Sequence, residues 1–229
     1  KLRRVDHKTV YFDEGSQLHS KQVVVSGLLQ TSYFTVQCWA LQLIYLIGAA
    51  GCSLLSLNAV PVNGVLRTRV LPAICWFAFE VSFSCALLVS AAVTYVLIPT
   101  ELSAGRVPVN FFKLEDQLMH NLNIAFMAFE LIFSGLPFYM RHFPIAILWG
   151  INYLALTWVF LLLPRGIVWY SFIDPTFPST KAISIHAVLL TIFCLFHFIG
   201  VGFAHLASTL PFQAPPQLPA QGSYARQVR

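Results

Sequence analysis

"VLPAICWFAFEVSFSCALLVSAAVTYVLI", residues 70–98, holds one charged side chain, Glu80, in a run long enough to cross a bilayer. About 20 mainly apolar residues span the roughly 30 Å of hydrocarbon, so the stretch predicts a transmembrane helix. It lacks the alternation of period two of a membrane barrel and far exceeds the barrel's strands of about 10 residues. Four further stretches share its character. Residues 34–57 and 143–163 carry no charge, 117–140 carry only His120 and Glu130, and 182–210 carry His186, His197 and His205 but no side chain of fixed charge. The expected fold is all-α: a polytopic membrane bundle with five visible transmembrane helices.

Composition agrees with the segments. Hydrophobic residues make up 57% of the 229-residue chain, charged residues 10%, and the mean hydropathy is +0.71, well outside the averages of soluble domains. The chain divides into a polar N-terminal segment at 1–33, a bundle at 34–210 and a proline-rich tail at 211–229. The apolar "VVVSGLL" near the start is too short to cross, and the reading leaves room for a sixth span upstream of Lys1. The tail, with "QAPPQLPAQGS", lacks the apolar content to fold alone. Loops rich in Pro, Gly and Asn suit turns between packed spans and leave no space for a separate soluble domain.

The net charge of +5 is spread over tails and loops, which fits lipid headgroups rather than nucleic acid. With five spans, the N-terminal segment and the loops near Arg106 and Arg165 share one face, side A. Basic residues close to the spans balance between the faces, and only "KLRR" and Lys8 tilt side A toward the cytoplasm or matrix. The chain therefore reads as an integral, multi-pass membrane protein without an assigned membrane. Cys38, Cys52, Cys75, Cys85 and Cys194 fall within spans and form no CxxC pair, the pattern of small packing residues. No metal site is expected.

The stretch "LEDQLMHNLNIAFMAFE", residues 114–130, brings Asp116, His120, Asn123 and Glu130 into an apolar helix. At about 100° per residue the four fall within a sector of roughly 80°, and ionisable groups at bilayer depth turn toward the bundle interior or a wet cavity. The first span enters from the same side with Thr31, Thr35 and Gln42 along one face. Thr35 and His120 then share a shallow depth, and a hydroxyl beside an imidazole is the minimum for nucleophilic catalysis. Threonines at helix starts also serve as caps or bond back to the helix.

"SYFTVQCWALQLIYL" around Thr35 and "MHNLNIAFMAFE" around His120 resemble the androgen-induced and androgen-dependent TFPI-regulating membrane proteins, threonine hydrolases of fatty acid esters of hydroxy fatty acids. Thr35 with Gln42 and His120 with Glu130 repeat that family's spacing, and "GIVWYSFID", residues 166–174, resembles its Trp-Val-Tyr-Pro-Phe loop. The stretch from His120 to Tyr153 is more similar to the Rolling stone proteins and their plant and protist relatives. Together the likeness covers about residues 31 to 207. It implies Thr35 as nucleophile and His120 as general base on a long-chain fatty acyl ester. Asp116 would orient the imidazole, and Asn121, Asn123 and Gln42 are candidate oxyanion donors. The chain departs from the family where Asp116 and Gln117 replace an Asn-His pair, and the span that precedes the family's threonine helix is not found.

Two other readings stand beside this one. His120 with His186, and His142 with His205, form two pairs near opposite faces, the arrangement of a di-haem b-type electron carrier; interfacial histidines are common without a ligand, and no cofactor is expected. A compact apolar bundle with a proline-rich tail also suits a non-catalytic accessory subunit of a larger membrane complex. The partners implied are membrane lipids, a long-chain acyl ester, or other subunits.

Overall fold

The computed structural model describes residues 7–9, 23–25, 27–57, 70–105, 107–162 and 168–210. The basic opening, the loop at 58–69, Arg106, Arg165 and the tail from residue 211 lie outside the described residues.

Five helical runs form the bundle. They are α1 (Phe34–Leu57), α2 (Val70–Ser103), α3 (residues 114–133), α4 (Phe143–Leu162) and α5 (Ser179–Ser208). α1, α2, α4 and α5 are each long and apolar enough to cross a membrane. A short antiparallel ladder pairs β1 (His7–Thr9) with β2 (Val23–Val25) ahead of them, a pairing not anticipated from the sequence.

The third predicted span ends earlier than its apolar run. α3 stops at Phe133, Gly135 takes a left-handed φ of +66°, and the backbone leaves the helix until a short 3-10 turn at Met140–His142. The cause is local: "SGLP" places a glycine just past the last helical turn and a proline two residues on, a helix stop. α3 also contains a π turn, Leu118–Leu122, which carries His120. α2 contains another, Val93–Leu97, closed by the Ile98 N–H on the Val93 carbonyl immediately before Pro99, whose ring cannot continue the α ladder.

α2 lies at the centre and touches each of the other four helices. Every residue from Ala78 to Ala86 is buried, as expected of a helix that is apolar all round. Lipid tails are as apolar as leucine, so such helices associate through close packing and hydrogen bonds rather than escape from water. The contacts accordingly use small residues. Gly48 of α1 faces Cys75, Gly150 of α4 faces Leu190 and Phe193, and a methyl group on Gly200 of α5 would come within 2.6 Å of Phe138.

The segment between α3 and α4 is held by side chains that satisfy part of its backbone, with Phe138 buried within it. Glu80, 1% exposed, accepts the Tyr139 N–H at 2.9 Å and pairs with His142 Nδ1 at 3.0 Å. His197 donates through Nε2 to the Tyr139 carbonyl at 3.1 Å, and Trp76 donates to the Pro137 carbonyl. Phe138 packs against Phe79, Phe83 and His197. Non-helical backbone at membrane depth is tolerated only where protein satisfies it in this way.

Candidate functional site

α1 begins at Phe34 after a 3-10 turn at Gly27–Ser32. Its first two residues form one wall of a cavity completed by the side-A half of α2, the middle of α4 and α5, and the loop ahead of α5. The space measures about 670 Å³, including the part open to the outside. Thirteen of the sixteen lining residues have no polar side-chain atom; the exceptions are Thr35, Tyr153 and Tyr170.

Two of these residues are tied to the start of α1. The Phe34 N–H donates to the Tyr153 hydroxyl at 3.2 Å, and the Tyr153 ring packs edge-on against Phe34. Tyr170 and Thr35 line the same cavity. Burial pushes the Tyr170 phenol up to about 12, against the opposing influence of neighbouring Thr35, so near neutral pH it holds its proton.

The loop that delivers Tyr170 is anchored from within. Trp169 is buried against Tyr33 and Phe160, and Tyr170 itself contacts Tyr33 and Phe172. Fully buried Asp174 accepts the Thr176 N–H at 2.8 Å and the Thr176 hydroxyl at 2.7 Å, an Asx turn that fixes the path into α5.

Of the residues singled out from the sequence, Thr35 alone lines the cavity. His120 is half-buried on its π turn with the Phe111 ring at 6.4 Å, and among the described residues no hydrogen-bond partner meets its Nδ1. Asp116, one turn earlier, acts on the imidazole through its charge and its backbone carbonyl. Trp39, one turn past Thr35, donates its indole N–H to the Met119 carbonyl at 3.0 Å. That bond braces the π turn against α1, and His120 is not among the residues that line the cavity with Thr35.

The candidate oxyanion donors are placed elsewhere. Asn121 accepts from Ser90 at 2.9 Å and donates to Gln117 at 2.7 Å, and Gln117 in turn donates to the Phe111 carbonyl. Gln42 and Asn123 are buried but off the cavity wall. Glu130 accepts the Tyr45 hydroxyl at 3.1 Å, linking α3 to α1. Sequence reasoning missed both tyrosines as cavity-lining residues; the signal within reach was the Tyr of "GIVWYSFID" in the loop already matched to the resembled family.

Three of the histidines bond to the protein. His142 meets Glu80, His197 meets the Tyr139 carbonyl, and His186 Nε2 is 3.5 Å from the Ile173 carbonyl. Among the described residues no three His, Cys, Asp or Glu side chains are grouped to hold a metal ion. Comparison of the chain with family models, curated proteins and solved structures found no match, so the likeness to threonine hydrolases rests on the motifs quoted above.

Proposed function

We propose that this chain is a multi-pass membrane protein that takes a long-chain acyl ester into the cavity beneath the loop before α5 and cleaves it with Thr35 as nucleophile. The observation that carries the reading is the position of Thr35: at the start of α1, it is among the residues that line an almost wholly apolar cavity. An acyl chain moving from the bilayer into such a cavity exchanges one apolar setting for another. Selectivity therefore comes from shape.

In the proposed chemistry the Thr35 oxygen bonds to the acyl carbon while its proton passes to His120. Collapse of the tetrahedral species breaks the bond to the alcohol oxygen, which leaves with that proton. Water then releases the fatty acid and restores Thr35. Since His120 stands off the cavity wall, the π turn at Leu118–Leu122 must shift toward Thr35 when substrate enters; π turns occur frequently at functional sites.

Hydrolysis of long-chain esters by the purified protein tests the reading. Thr35→Ala is expected to abolish turnover, and His120→Ala to lower it by about 10²–10⁴-fold, the usual worth of a general base. Wild-type levels in Thr35→Ala would contradict the assignment. The absence of His120 from the cavity wall favours a second reading, in which the cavity binds a lipid without cleaving it. Saturable lipid binding with no product at all would select that reading, and neither binding nor turnover would leave the accessory-subunit role.

A further inference from the structure

We infer that Gly150 is a specificity-determining residue of the cavity: by carrying no side chain it leaves Leu190 drawn back, and so sets a bore that takes a long, unbranched acyl chain. The inference rests on the acyl-ester reading for its ligand and adds to it the residue that decides which chains fit.

The wall suits hydrocarbon. No Lys, Arg, His, Asp or Glu is among its lining residues, and the hydrocarbon at hand in a bilayer is the acyl chain. Such a wall tells one chain from another by steric fit alone, and a single methylene too many or too few in an apolar pocket is worth about 10–200-fold. Two of the smallest residues stand among the leucines, valines and phenylalanines of the lining: Ala92 of α2 and Gly150 of α4.

Gly150 lies within a helix, where glycine is a poor choice unless space demands it. A methyl group at this position would stand 2.9 Å from Leu190 Cδ2 and 3.3 Å from the Phe193 ring, and both of those residues line the same cavity. The two cannot yield alike. Phe193 is 1% exposed and packs in a core with Cys85, Val89 and Ala146, whereas Leu190 is half-buried and meets the methyl with the free end of its side chain. Leu190 is therefore the one to move, and the open space beside it is the cavity. Gly202 of α5 gives the contrast, since a methyl there would meet nothing within 4 Å.

Binding of tritiated hexadecyl methyl ether in detergent tests the assignment on wild type, Gly150→Ala, Leu190→Ala, the double variant and Gly202→Ala. An ether cannot be hydrolysed, so the result is independent of turnover. Competition with the same ether bearing one mid-chain methyl branch measures the preference for a straight chain. Wild type is expected to bind the straight chain saturably and the branched chain about 10–200-fold more weakly. Gly150→Ala should weaken the straight chain by about 10-fold or more, and Leu190→Ala should narrow the gap between straight and branched chains. The double variant should regain the straight chain, because a shortened Leu190 leaves the new methyl nothing to push into the cavity; such non-additivity is expected only of residues in contact. Gly202→Ala should match wild type. Unchanged affinity in Gly150→Ala would overturn the inference, as would a loss that Leu190→Ala does not relieve, which would make Gly150 a packing residue only. Should Gly150→Ala fail to fold, Leu190→Ala decides alone, and an unchanged preference for the straight chain would overturn it. Absence of saturable binding to wild type would also overturn it. The expected series in a protein that hydrolyses no ester would support it and remove the hydrolase reading alone.

Discussion

A threonine at a helix start is ordinary; its meaning here comes from what folds over it. Thr35 and the polar stripe of residues 116–130 were legible in the sequence because a polar group in a hydrophobic run has to be accommodated, and helical period states which of them share a face. Tyr170 was not legible as part of the same cavity wall. Its place there depends on the course of a loop, and a loop has no period. Nor could spacing reveal that Asn121 is committed to Ser90 and Gln117. The raised Tyr170 phenol gives a pH dependence whose sign is fixed. An ordinary tyrosine ionises near 10, whereas in the fold this one holds its proton up to about 12. Below about 10 both folded and unfolded chains keep the proton and the residue contributes no pH dependence; between there and about 12 only the unfolded chain releases it, so stability falls as pH rises through that window. Thermal melts across the alkaline range should show a shallower fall in Tyr170→Phe than in wild type, and identical slopes would show that the phenol is not held in its neutral form.

At the scale of elements, four spans coincide with long apolar helices, and the exception is instructive. The apolar run of residues 117–140 outlasts its helix because hydropathy measures solvent preference, while Gly135 and Pro137 decide backbone course. Both π turns were unreadable for a related reason: one extra residue in a turn leaves the apolar pattern almost unchanged. The broken segment depends on Glu80, the single charge in the opening stretch of sequence. Glu80 holds the Tyr139 N–H and His142 together and so joins α2 to the entry of α4. Truncating one partner of a buried pair strands the other, at a cost of about 3–5 kcal/mol. Glu80→Ala should therefore lower stability by about that amount in denaturant titrations in detergent, and Glu80→Gln, which keeps an acceptor for the Tyr139 N–H, should lose less. Equal stability of Glu80→Ala and wild type would show that the pair does not brace the bundle.

At the scale of the whole molecule, the two polar centres lie at opposite ends. The Glu80 cluster secures the face where α3 ends and α4 begins, leaving the other face, where α1, α3 and α5 begin, to carry the cavity and its loop. Membrane character and helical architecture followed from composition and segment length alone; the existence of a cavity did not, because it arises from which helices diverge, and that is a property of packing. The central claim is that Thr35 is a nucleophile on the wall of this cavity. Its most direct test is to treat the protein, reconstituted in lipid, with a long-chain fluorophosphonate and to locate the adduct by peptide mass spectrometry. The account predicts one adduct, on Thr35, displaced by excess long-chain ester and absent from Thr35→Ala. No adduct, or labelling that persists in Thr35→Ala, would contradict it.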